Sequence, residues 1–224
     1  MSSEEVRAAG TGGNSGTGGP PELRKITDAR TMRALAHPVR VAIIEELSFG
    51  AIQTGGGMTA TELGEAIGET ATTCSFHLRQ LAKYGFVEEA GGGKGRARPW
   101  KMTSVGQLIS PAPGDAEAQI ASNALVRLFR DRQLARYQTW QETRAEYPEE
   151  WRNAATNSEY TFHVTPAELR QLNSDVHDLL FRFWERNEDP SKRPPGALPV
   201  ETLLFNYPIV PPKATTPEDE GAGA

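Results

Sequence analysis

A dozen side chains between positions 70 and 98 carry hydrogen-bonding, aromatic or cationic groups: Thr70, Thr72, Thr73, Ser75, Phe76, His77, Arg79, Gln80, Lys83, Lys94, Arg96 and Arg98. Their chemistry fits a nucleic-acid duplex. Arg79 can make a bidentate contact with guanine, Gln80 can pair with adenine, and Phe76 or the Thr72 methyl can contact the thymine methyl. Thr70, Thr73 and Ser75 suit phosphate oxygens, which set register without reading bases. Lys83 adds a cation. Lys94, Arg96 and Arg98 would meet phosphates or enter the minor groove, and His77 either touches phosphate or packs behind its helix.

Such groups act together only if one element presents them. Cys74, Leu78 and Leu81 recur at i, i+4 and i+7, so a helix from Thr70 to Tyr84 turns them toward a core and the polar set outward. Ahead of it, Thr59-Ala60-Thr61-Glu62 reads as a capping box, opening a helix that buries Leu63, Ala66 and Ile67 and breaks at Gly68. Two short helices across so brief a turn make a helix-turn-helix. Phe86–Ala90 reads as a strand, Gly91–Arg96 as a basic, glycine-rich tip, and Ala97–Thr103 as the returning strand with Trp100 inward, which together form a wing. Upstream, a helix from Asp28 to Ala36 stops before His37-Pro38, because a residue preceding proline is pushed out of the helical region. Pro38 then opens a helix with Val39, Ile43, Ile44 and Leu47 on one face.

Composition narrows the class. The 224 residues carry 24 Lys+Arg against 29 Asp+Glu, a net charge of -5, yet residues 23–106 hold 11 basic against 8 acidic side chains. Positive charge is local to the segment carrying the helix pair and wing. The single cysteine, Cys74, can form neither an intrachain disulfide nor the cysteine pairs of a zinc ribbon, and its place on the apolar stripe makes it a core residue. No apolar run approaches the ~20 residues of a spanning helix, and the N-terminus lacks a signal-like apolar segment; the expected location is the cytoplasm. No P-loop, dinucleotide fingerprint, GxSxG or HExxH motif is present, so no enzyme, cofactor or metal site is expected.

Arg33-Ala34-Leu35-Ala36-His37-Pro38-Val39-Arg40 with Ile43-Ile44-Glu45-Glu46-Leu47, then Thr61-Glu62-Leu63, Ser75-Phe76-His77-Leu78-Arg79-Gln80-Leu81 and Gly85-Phe86-Val87, resembles the ArsR-type winged-helix transcriptional regulators. The resemblance spans about residues 25–105 and implies a dimeric DNA-binding repressor or activator with Thr70–Tyr84 as recognition helix. Metal-sensing members carry a cysteine-rich motif on the preceding helix or His and carboxylate ligands across the dimer. The segment Thr59–Ile67 has neither cysteine nor histidine, so arsenic or cadmium sensing there is not expected.

Residues 1–22 and 211–224 are Gly-, Pro- or charge-rich and read as disordered tails. Residues 23–108 form the winged helix-turn-helix domain, and Ser110-Pro111-Ala112-Pro113-Gly114 ends it. Residues 115–210 read as an α+β domain for dimerisation or effector binding. It would contain a long amphipathic helix from Asp115 to about Tyr147, a strand Tyr160–Val164, and a helix capped by Thr165-Pro166-Ala167-Glu168 that carries Leu169, Leu172, Val176, Leu179 and Phe183. Val200–Tyr207 would be a final strand. The 3-4 spacing of that helix fits either an intrachain core or a dimer contact. Twelve of the 17 aromatic residues lie beyond position 106, fitting a compact core or a small-molecule effector pocket. His163 and His177 have no spacing that requires them to meet.

The expected fold is α+β: an N-terminal winged helix-turn-helix followed by a mixed helix/strand C-terminal domain with a long helix. The expected function is sequence-specific transcriptional regulation, a repressor binding double-stranded DNA as a homodimer on an inverted-repeat operator, with no membrane partner. The competing reading is a winged-helix module that binds a protein and never DNA.

Overall fold

The computed structural model describes residues 23–54, 56–91, 98–104 and 106–211. A short strand β1 (Arg24–Ile26) leads into helices α1 (Ala29–Leu35), α2 (Pro38–Thr54), α3 (Ala60–Ile67) and α4 (Ala71–Lys83). Strands β2 (Val87–Glu89), β3 (Trp100–Met102) and β4 (Gln107–Ile109) follow, then helices α5 (Ala116–Thr143), α6 (Glu149–Ala154), α7 (Pro166–Phe181) and α8 (Glu185–Glu188). This is a mixed α+β arrangement, with the helix pair at the N-terminal end and a long helix after it.

Local chemistry accounts for the helix ends. Asp28 caps α1 by accepting from the Thr31 amide, and Asp115 caps α5 by accepting from Ala118. Pro38 opens α2 immediately after the break at Ala36-His37. α2 runs past Leu47 to Thr54, longer than its apolar stripe requires.

The core is built from Ile26, Met32, Leu35, Val41, Ile43, Ile44, Leu47, Leu63, Cys74, Leu78, Leu81, Phe86 and Val87. It also includes Ala118, Ala121 and Leu125 of α5. Small alanines let α5 lie close along α1, and Leu125 closes the cluster. Glu45 of α2, buried, forms ion pairs with Arg132 and Arg136 of α5, and Arg136 also reaches Glu201. Beyond Leu125, no described residue is buried.

Two small sheets join the helices. β2 and β3 pair antiparallel with Val87 opposite Met102 and Glu89 opposite Trp100. Trp100 also exchanges backbone hydrogen bonds with Met58, at 2.7 and 2.9 Å, which ties the returning strand to the residue preceding the Thr59 cap of α3. β1 and β4 pair in parallel, Arg24 with Gln107 through Ile26 with Ile109. That pairing had no signal in the sequence, because three-residue strands leave no periodicity to read.

Three expectations require correction. Tyr160–Val164 and Val200–Tyr207 are not strands; neither segment finds a described partner strand, and an unpaired strand has nothing to hold it in water. Tyr160, 79% exposed, shows the consequence. The compact α+β core expected from the C-terminal aromatics is also absent among the described residues: α6 and α7 contribute no buried side chain. On α3, finally, Ala66 is exposed while Gly64 is buried, since the face that meets α4 is the Leu63-Gly64 edge.

Because Leu125 completes the same core as α1 to α4, Leu125→Ala should destabilise the whole helix-turn-helix unit by about 2–5 kcal/mol. Urea unfolding of the full chain, followed at Trp100, checks this; an unchanged midpoint would mean that α5 is not integral to the core.

Candidate nucleic-acid interface

The turn between α3 and α4 depends on two glycines. Gly68 ends α3 in the left-handed region at φ 73°, which is open to glycine at little cost. Gly64 lies where the chain crosses back: a Cβ there would stand 2.6 Å from the Glu69 carbonyl oxygen. Thr59 and Glu62 form the capping box that starts α3, the Thr59 amide donating to the Glu62 carboxylate at 2.7 Å. This hydrogen bonding holds the Glu62 carboxyl below the usual carboxylate range.

Thr70 then caps α4 by accepting from the Thr73 amide at 3.0 Å, and the two hydroxyls lie 2.9 Å apart. Cys74, His77, Leu78 and Leu81 are buried beneath α4. Thr72, Phe76, Arg79 and Lys83 are exposed on its opposite side, and Thr73, Ser75 and Gln80 are half-buried at the flanks. Phe76 is 52% exposed, which leaves an aromatic ring on the outward face of α4. The buried stripe thus aims one narrow polar and aromatic face outward, of a width suited to a groove about 12 Å across.

His77 departs from the expected outward set. It is 7% exposed, its ring centroid 4.5 Å from that of His37, and it lies behind the helix rather than on its outward face. His37 Nδ1 accepts from the Val39 amide at 3.2 Å, and so helps start α2. Burial, followed by the Arg40 charge, pulls the His37 imidazole below its ordinary pKa. Burial, then His37 and Arg40, does the same to His77. Burial pushes the Cys74 thiol up, as befits an inert core residue.

On the wing, Arg98 is exposed and pairs with Glu89 at 3.1 Å through both carboxylate oxygens, while Lys101 pairs with Glu88 at 3.1 Å. Lys94 and Arg96 lie outside the described residues. Three further cations that sequence reasoning passed over gather beside α4: Arg30 and Arg33 of α1 and Arg40 of α2 line a cleft with Gln80 and Tyr84. The i, i+3 spacing of Arg30 and Arg33 was the available signal.

Away from this face, His177 stacks on Phe181 at 3.9 Å. Among the described residues no cluster of three or more His, Cys, Asp or Glu side chains could hold a metal ion, and no helix is long and apolar enough to cross a membrane. A cleft of about 370 Å³ lies between α2 and α5, lined by Glu46, Arg132, Arg136, Trp140 and Tyr147 among others.

Residues 35–90 match the family model described as a helix-turn-helix domain. No curated protein matches the chain. The matched segment runs from the last residue of α1 to just past β2, and so contains the helix pair, its turn and the first wing strand. A domain of this class points to a DNA-binding regulator.

Two outcomes test the geometry. Gly64→Val should spread the α3–α4 turn and lower thermal stability and duplex affinity together, whereas retention of both would show that the close crossing is not required. The histidine pair sets a pH dependence. Both imidazoles are held below their ordinary pKa, so the unfolded chain binds protons more readily; their contribution to stability is complete above about pH 6.5 and is lost as pH falls below that value. Urea midpoints between pH 7 and 5 should decline, and His77→Phe should flatten that decline; an identical profile in the variant would contradict the assignment.

Proposed function

We propose that the chain is a sequence-specific DNA-binding transcriptional regulator of the ArsR type, a repressor that acts in the cytoplasm as a homodimer on an inverted-repeat operator. The observation that carries the reading is the outward face of α4, where Thr72, Phe76, Arg79 and Lys83 stand exposed opposite the buried Cys74, Leu78 and Leu81. In this reading α4 enters the major groove, with Arg79 and Gln80 at base edges and Phe76 or Thr72 on thymine methyls. Thr70, Thr73, Ser75 and Lys83 contact phosphates, and Lys94, Arg96 and Arg98 do so from the wing. His77 acts indirectly, by setting the packing of α4.

Residues 115–210 would supply the dimer contact. Ile120, Val126 and Leu134 of α5 and Leu179 and Leu180 of α7 are exposed apolar side chains of the kind a second copy would cover. A two-fold pair of α4 helices spaced one turn of duplex apart calls for a palindromic site. The α2–α5 cleft is the place where a small-molecule effector would fit. No cysteine-based metal sensing and no catalysis form part of this function.

The ion pairs on the described wing residues favour one alternative, a winged helix that binds a protein. The two readings separate on Arg79. With the operator in hand, wild type should prefer it to a scrambled duplex by at least ~10³-fold, and Arg79→Ala should reduce that preference by about 1–3 kcal/mol, read by fluorescence anisotropy. Undiminished discrimination would remove Arg79 from the reading surface, and no preference in wild type would favour the protein-binding alternative.

A further inference from the structure

Arg30, Arg33, Ala34, Arg40, Gln80 and Tyr84 enclose an open pocket of about 300 Å³ between α1, α2 and α4. Its charge is poorly compensated. Arg33 pairs with Glu117 at the start of α5, but no described carboxylate pairs with Arg30 or Arg40. The Arg30 guanidinium lies 5.9 Å from the centroid of the Tyr84 ring, so an aromatic face rather than an acid steadies it. Arg40 donates to the Arg33 carbonyl at 3.3 Å, while its Nε is buried with no hydrogen-bond partner. A buried guanidinium N–H left unpaired is costly, and a planar guanidinium is shaped to donate to a phosphate through two bonds.

The position of the pocket identifies the source of that phosphate. A helix in the major groove has a phosphate backbone along each of its flanks. Gln80 and Tyr84 stand at i and i+4 on a single flank of α4, next to the exposed Arg79 and Lys83, and that is the flank the three arginines line. We infer that the pocket between α1, α2 and α4 binds a phosphate group, supplied in the DNA complex by one backbone phosphate alongside α4. This rests on the DNA-binding reading above. Glu117, by holding Arg33, opposes the anion and links the occupancy of the pocket to α5.

The test uses the full chain, its selected duplex and three proteins: wild type, Arg30→Gln and Glu117→Gln. Affinity falls with salt with a log–log slope of about -0.9 per phosphate neutralised. Arg30→Gln should therefore lose about eightfold less affinity than wild type over a tenfold rise in salt, with the operator-to-scrambled ratio unchanged. Glu117→Gln should bind more tightly at fixed low salt, a gain that no folding defect mimics. A second arm titrates inorganic phosphate without DNA and follows the Arg40 Nε–H resonance.

Each outcome decides something. Unchanged slopes together with a saturable shift of Arg40, weakened in Arg30→Gln, would overturn the DNA source and assign the pocket to free phosphate. Unchanged slopes and no shift would overturn the inference altogether. If wild type binds no duplex at any salt, the regulator reading fails on its own, and the phosphate titration alone decides for or against an anion pocket.

Discussion

The burial of one stripe of α4 fixes which of its side chains face outward. With Cys74, Leu78 and Leu81 fully enclosed, the helix has no rotational freedom about its own axis, and Thr72, Phe76, Arg79 and Lys83 must project together. A rotation by one residue would expose about three apolar side chains at roughly 1.5–3 kcal/mol each. The turn that delivers α4 to this position has its own requirement, the absence of a side chain at position 64 where the backbone crosses. The outward face of α4 and the core beneath it are thus set by the same packing.

The same economy extends to α5. Its first three turns complete the core through Ala118, Ala121 and Leu125, and further along it is pinned to α2 where Glu45 meets Arg132 and Arg136. A buried carboxylate held between two guanidinium groups adds little net stability, but removing either partner would leave a buried charge uncompensated. The α5 axis is therefore set relative to α1 and α2, the helices that carry Arg30, Arg33 and Arg40. Farther out, α7 contributes no buried side chain; His177 stacks on Phe181 within the helix itself, and Leu179 and Leu180 remain accessible.

What the sequence disclosed follows from where its signals are local. Caps and breaks are local chemistry, so Thr59 with Glu62, Thr70, Gly68, and Thr165 with Glu168 could be read directly, and each stands at a helix end. Helical periodicity placed Cys74, Leu78 and Leu81 inside and the candidate contacts outside, with His77 the exception; its position one residue from the stripe centre left it ambiguous until His37 was seen against it. Pairing between distant segments is not local, and the parallel contact of Arg24–Ile26 with Gln107–Ile109 was invisible for that reason. The converse error arose at Tyr160–Val164 and Val200–Tyr207, runs rich in apolar and aromatic residues for which no described partner strand exists. The arginine pocket went unread because its members come from three helices.

The proposed role of α4 is to read a duplex with its outward face. The most direct measurement is selection by the full chain from a pool of random duplexes, followed by sequencing of the retained fraction. Enrichment of a single inverted repeat, with half-sites one helical turn apart, is the expected result. Retention with no sequence preference, or no retention at low salt, would contradict it.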